Sequence, residues 1–219
     1  MKIIDITPII SERIGVFPGD VKFERDISLE FEKGHNLRLS SIKTSLHLGA
    51  HADGPNHYSK TGVGIGERDP SIYLGRCLVV HAECKPGERV SRKNLSGHFR
   101  ELSAFKGAER VLVKTGSFPD PDQWNSDFCS YDPIFIEELA GLGVRLIGID
   151  TPSIDPETSK DLPSHAMVAE YDLAILEGIV LEKVPEGVYT LIALPLKIEN
   201  ADAAPVRAVL IEGVQFPGE

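Results

Sequence analysis

Cysteine is scarce. Three occur in 219 residues, Cys77, Cys84 and Cys129, an odd number with no C-x-x-C pair. A disulfide framework and a cysteine-based zinc site are therefore both excluded, and three free thiols in a reducing cytoplasm are expected. Positive charge is also in deficit, with 23 basic against 33 acidic residues and a net charge of −10. That balance argues against nucleic acid or an anionic membrane as partner, and says little about a small molecule, because local charge in a pocket can oppose the global sign. No run approaches the ~18 apolar residues of a membrane span. The opening MKIIDITPII is broken by Asp5 and is too short for a signal peptide. A G-x-S-x-G nucleophile elbow is missing as well, and no cysteine sits in a recognisable catalytic setting. Internal repeats, low-complexity tracts and linker-like stretches are absent, so one domain over 1–219 is the simplest organisation.

What is present is mostly strand-like. Apolar or alternating runs occur at 2–7, 23–31, 37–47, 76–83, 109–116, 144–150, 174–182, 188–198 and 206–212. Several are continuous β-branched stretches, as expected of strands covered on both faces. Three helices are predicted between them. One spans 91–105 behind a Ser91 cap. A second follows the Asp132 cap with Pro133 at its first position and ends at Gly141 or Gly143. The third covers 164–174. Strands outnumbering interspersed helices give a mixed α/β domain.

Chemistry concentrates in SLHLGAHADGPNHY, residues 45–58. His47, His51, Asp53 and His57 stand four, two and four residues apart, among Gly49, Gly54 and Pro55, which make a helix costly. In extended chain the odd-numbered residues 47, 49, 51 and 53 share a side. Imidazoles and a carboxylate converging on one point suit zinc, manganese or iron better than calcium or magnesium. The remaining histidines His35, His81 and His98 read as ordinary core or surface residues. Glu177 interrupts the apolar run AILEGIVL, where a carboxylate is costly to bury without a partner.

The segment HLGAHADGPNH resembles the H-x-G-T-H-x-D-x-P-x-H signature of the cyclase-like metal-dependent hydrolases, whose best-known members are bacterial kynurenine formamidases. The resemblance continues through VFPGD, GIDTPSIDPETSKDLPSH, AILEG and LIALPLKIENADAAPVRAVLIE, nearly the whole chain. It implies a swivelling β/β/α-type fold, with a mixed sheet core and flanking helices. It also implies two divalent metal ions per subunit, zinc or alternatively manganese or cobalt. His47, His51 and Asp53 would hold the first ion. Asp53 would bridge to the second, completed by His165 and Glu177, whose separation of twelve fits the family's S-H-x11-E. His57 would be the acid/base; the alternative for it is a further ligand or a group that orients one.

Two bridged metals lower the pKa of water and polarise a carbonyl oxygen. The implied reaction is hydrolysis of a linear amide C–N bond, with N-formyl-L-kynurenine giving L-kynurenine and formate. Three positions depart from the family: Ala50 replaces a threonine, Ala166 a frequent histidine, and Phe17 the tryptophan of W-P-G-D that contacts the substrate ring. Phenylalanine still offers an aryl face, smaller than indole. Because of Phe17, a same-fold hydrolase of another amide or a lactam such as isatin stands as the alternative, followed by a non-catalytic metal-binding protein and a polyketide-type cyclase. The family further implies a homodimer or a tetramer, with Phe17 near the neighbouring subunit's site. Trp124, in the polar DPDQWNSDF, reads as a loop anchor without a claim on the site, and Asp150 and Asp155 as turn residues.

Overall fold

The computed structural model describes residues 1–213. In chain order the strands are β1 Lys2–Asp5, β2 Glu24–Leu29, β3 Leu39–Lys43, β4 His51–Asp53 and β5 Leu74–His81. They continue as β6 Arg89–Val90, β7 Arg110–Lys114, β8 Ser130–Tyr131, β9 Leu146–Ile149 and β10 Ala174–Glu177. The last three are β11 Gly187–Ile192, β12 Ala203–Pro205 and β13 Val209–Glu212. Nine of them form one mixed sheet in the order β1-β13-β11-β5-β7-β9-β10-β4-β12. β2 and β3 pair apart as an antiparallel ribbon, and β6 with β8 as a short parallel pair.

The parallel neighbours β5, β7, β9 and β10 form the middle of the large sheet. Their continuous apolar character reflects burial on both faces, and alternate residues enter different cores. Leu112, Leu146 and Leu176 join one apolar cluster with Tyr73 and Leu191. Val111, Val113, Ile147 and Ile175 point the other way, onto Phe135, Ile136 and Val168. Phe135 and Ile136 belong to α1 Pro133–Gly141, and Val168 to α2 Pro163–Glu170. The mixed α/β class expected from the sequence is what the chain adopts.

α1 starts as expected, with the Asp132 carboxylate accepting from Ile134 N at 2.9 Å and Pro133 in the first turn. α2 starts one residue earlier and stops four earlier than its prediction. The helix expected over 91–105 does not form. The segment is three separate 3-10 turns, Arg92–Asn94, Gly97–Arg100 and Leu102–Phe105. Gly97, the first residue of the second turn, has φ +47, outside helical geometry, while Leu95, Phe99 and Phe105 are buried regardless. The run 37–47 pairs only as far as Lys43, and 188–198 leaves the sheet at Ile192. The run 206–212 contributes only β13, preceded by the unforeseen β12.

Parallel strands β5, β7, β9 and β10 all end on the same edge of the sheet, at His81, Lys114, Ile149 and Glu177. In open α/β sheets ligands bind outside the carboxyl ends of parallel strands, and the pocket described next opens there. Among the described residues, no helix is long and apolar enough to cross a membrane.

Candidate metal centre

Glu177, the last residue of β10, lies opposite His51, the first residue of β4, in an antiparallel pairing. Opposed residues of such a pair project to the same face, and Asp53, two residues after His51, joins them. His51 Nε2 is 3.1 Å from Glu177 Oε2 and 3.4 Å from Asp53 Oδ1. On the other flank β12 sets Ala203 opposite Asp53, so only a methyl group shares that position.

His47 precedes β4 and turns back at Gly49, placing its Nδ1 3.1 Å from Asp53 Oδ1. The turn depends on a close backbone approach. Gly178, at φ +64, lies so near Gly49 that a Cβ on it would stand 2.0 Å from Gly49 O. Gly49 O also accepts from His51 Nδ1 at 2.9 Å. A carbonyl can only accept, so Nδ1 carries the proton and Nε2 presents a lone pair to the centre.

His165 arrives from the first turn of α2. Asp155 accepts from Ser164 N at 3.0 Å, from His165 N at 3.1 Å and from His165 Nδ1 at 2.8 Å. One carboxylate thus caps the helix and fixes the ring, leaving His165 Nε2 3.6 Å from Asp53 Oδ2 and 3.9 Å from Glu177 Oε1. Arg89 Nη2 holds the other oxygen of fully buried Asp155 at 2.8 Å. Asp155 and Asp150 are therefore more than the turn residues expected. Asp155 orients a histidine of the centre, and Asp150 lines the pocket while accepting from Thr115 N and Gly116 N at 2.9 and 2.8 Å.

The residues the sequence singled out thus meet in space, with His57 beside them. Its ring centroid is 4.2 Å from that of His47 and 5.9 Å from that of His165. Three atoms at the middle, His51 Nε2 and both carboxylate oxygens of Asp53, make no well-directed hydrogen bond among the described residues despite approaches of 3.1–3.6 Å. All three are buried. Orphaned buried polar atoms are expensive, and imidazole nitrogens with carboxylate oxygens are the donor set of a divalent transition metal. His47, His51 and Asp53 each offer one donor atom within 4.8 Å of the others, as do Asp53, His57 and His165. The residues present fit a metal centre.

Electrostatics agree. Burial pulls the His47 and His165 imidazoles down. For His47 the Asp53 carboxylate overrides this and lifts the pKa to about 9. For His165, Asp155 and Asp53 together lift it to about 10. Burial likewise works against the Asp53 carboxylate, yet His165 and His47 hold it ionised. The carboxylates therefore call for positive charge between them. His57 behaves differently: burial and the nearby His47 and His165 keep it below the ordinary histidine value, so it is neutral at pH 7.

The centre closes one end of a pocket of about 600 Å³. Phe17 lines it from the same chain, 39% exposed. Trp124, expected to be a remote loop anchor, lines it too, with its ring 5.4 Å from Phe17 and 5.7 Å from Phe118. Gly15 N donates to Pro121 O at 2.7 Å and ties the N-terminal loop to the tryptophan loop. Trp124 Nε1 is anchored on Glu157 at 2.7 Å. Asp202, which the sequence reading did not select, stands 3.2 Å from His47 Nε2.

The chain belongs to the putative cyclase family, whose model matches residues 4–156. Among its relatives, the kynurenine formamidase of Delftia acidovorans (strain DSM 14801 / SPH-1) is 44% identical over 206 residues, covering 94% of this chain and 95% of the relative. Two solved structures share the fold. A potential metal-dependent hydrolase with cyclase activity aligns with TM-score 0.80 and 24% identity over 98% of this chain and 99% of its own. Isatin hydrolase A of Labrenzia aggregata aligns with TM-score 0.81 and 19% identity over 97% and 94%.

Proposed function

We propose that this chain is a metal-dependent arylformamidase, hydrolysing N-formyl-L-kynurenine to L-kynurenine and formate. The observation that carries the reading is the orphaned donor set of His51 Nε2 and the Asp53 oxygens at the head of an aromatic-walled pocket. The near full-length likeness to a kynurenine formamidase supplies the substrate. His47, His51 and Asp53 would hold one divalent ion, and Asp53, His165 and Glu177 a second, zinc being the choice that suits these ligands. Such ions, when bound, supply an acidified water and polarise a carbonyl oxygen.

The chain's own residues do the rest. Phe17 and Trp124 hold the aryl ring, so that the formyl group lies at the centre. Water adds to the formyl carbon, the C–N bond breaks, and the aniline nitrogen leaves with a proton. His57, neutral at pH 7 and open to the pocket, takes that proton from the water and passes it to nitrogen. Glu177 Oε1, held by Ile154 N at 2.7 Å, and Asp155 keep the flanking groups from turning away. His57→Gln tests this role: turnover of N-formyl-L-kynurenine should fall by roughly 10²–10⁴ with metal content unchanged. Unchanged turnover would remove His57 from the reaction.

The same reading extends to assembly and location. β3 is exposed at every residue, with Leu39 and Ile42 54% and 64% exposed, and Phe31 nearby is 60% exposed. A two-stranded ribbon is marginal on its own in water. A homodimer in which this ribbon packs on the second copy, with a tetramer as the larger alternative, covers those side chains. One domain over 1–219, working in the cytoplasm with its thiols reduced, completes the proposal.

A further inference from the structure

Five lysine or arginine side chains are buried or half-buried among the described residues: Arg68, Arg89, Arg92, Arg110 and Lys114. The four arginines each have a carboxylate partner, in Asp172, Asp155, Glu138 and Glu109 respectively. Lys114 forms no ion pair among the described residues. Its Nζ donates to the main-chain Glu182 O at 2.6 Å. An ammonium carries three donors, so two remain for something else. Withdrawing a charge from water without an opposite charge is unfavourable, and a half-buried unpaired lysine is a place where an anion is missing.

Position says where that anion comes from. Lys114 ends β7 and, among the described residues, is the only lysine or arginine lining the pocket. Its presentation is fixed from behind: Asp150 accepts from Thr115 N, Gly116 N and Thr115 Oγ1, the last at 2.7 Å, and Gly116 turns there at φ +65. Of the acids lining the pocket beside it, Asp150 is engaged on that turn and Glu157 on Trp124, while Glu182 meets Lys114 through its main-chain oxygen and forms no ion pair with it. Every residue from Glu177, at the metal centre, to Glu182, under the lysine, lines the pocket. A molecule with its amide at Glu177 that follows this wall meets Lys114.

We infer that Lys114 determines specificity by receiving a carboxylate on the substrate's tail, so that the pocket selects aryl amides with an anionic side chain over neutral or cationic ones. The inference rests on the amidohydrolase reading for the amide end, and uses independent observations for the tail. Charge-assisted hydrogen bonds are the strong ones, and an ammonium that must be desolvated rejects ligands that leave it unpaired.

The test compares N-formyl-L-kynurenine with N-formylkynuramine, the same molecule without its carboxylate, on zinc-loaded protein. The wild type should favour the carboxylate by roughly 10- to 100-fold in kcat/KM. Lys114→Gln, which keeps a donor for Glu182 O but has no charge, should bring the two substrates within about threefold while leaving N-formylkynuramine turnover intact. Lys114→Arg should restore most of the preference. No wild-type preference, or an equal loss on both substrates in Lys114→Gln, would overturn the inference. Calorimetric binding of L-kynurenine and kynuramine to the same proteins separates the two readings. If neither formyl compound is hydrolysed, yet L-kynurenine binds more tightly and only with Lys114 present, the reaction assigned above fails and the tail site stands. Binding indifferent to the carboxylate would dismiss the tail site whatever the reaction.

Discussion

His51 Nε2 and Glu177 Oε2 face each other at 3.1 Å across the β4–β10 ladder, although 126 positions separate them in sequence. Neither has freedom to leave. His51 is tied through Nδ1 to Gly49 O and Glu177 through Oε1 to Ile154 N. The chain's own hydrogen bonds therefore hold these side chains in place, and a ligand set held in this way loses little conformational entropy on binding.

Removing divalent ions should lower thermal stability. Metal at 100 times its dissociation constant contributes about 2.7 kcal/mol. For a chain of this size that corresponds to roughly 5–10 °C in Tm. Scanning calorimetry with and without chelator, followed by readdition of zinc, checks this; identical melting curves would count against the centre.

Gly178→Ala should damage the centre without touching a ligand. Its Cβ would meet Gly49 O at 2.0 Å, and φ +64 strains any side chain there. Relief requires moving either Gly49, which holds His51, or Gly178, which follows Glu177. A loss of about 2–4 kcal/mol in denaturant unfolding, with weakened metal retention, is expected.

Arg89→Met should expose the dependence of His165 on Asp155. The Asp155 carboxylate is fully buried and keeps only its helix and His165 contacts once the guanidinium is gone. Breaking a buried pair in this way costs about 3–5 kcal/mol. Disturbing a group that orients a metal-binding histidine should lower metal affinity by roughly 10–100-fold. Competition with a chromogenic chelator measures the second effect.

How much of this was readable beforehand depends on how local the cause is. The helix at Pro133 is announced by Asp132 and proline side by side, and the cluster at 47–57 by its spacing. β4 was not, because three residues are too few for a period and their side chains serve as candidate ligands. The 91–105 segment has apolar residues where a helix would bury them, and Gly97 breaks it all the same. Trp124 and Lys114 carry no local sign of their position. The loop contact from Gly15 brings the first beside Phe17, and sheet order brings the second to the pocket. Arg89 and Asp202 act through partners 66 and 155 positions away, a relation one sequence does not display.

Ile42→Lys, on the exposed face of the ribbon, should convert the proposed dimer to monomer. A charge in an apolar interface costs several kcal/mol when unpaired, whereas the same lysine on a free ribbon is harmless. Light scattering at micromolar concentration distinguishes the two states, and a wild type that already runs as a monomer would refute the proposed interface.

Counting metal against turnover on one preparation tests the assignment most directly. Protein stripped with chelator, then dialysed against zinc, should retain two ions per chain by elemental analysis. Hydrolysis of N-formyl-L-kynurenine should be absent from the stripped protein and return with the ions. Full hydrolysis by stripped protein, or two retained ions with no hydrolysis of the formyl compound, would contradict a metal-dependent arylformamidase.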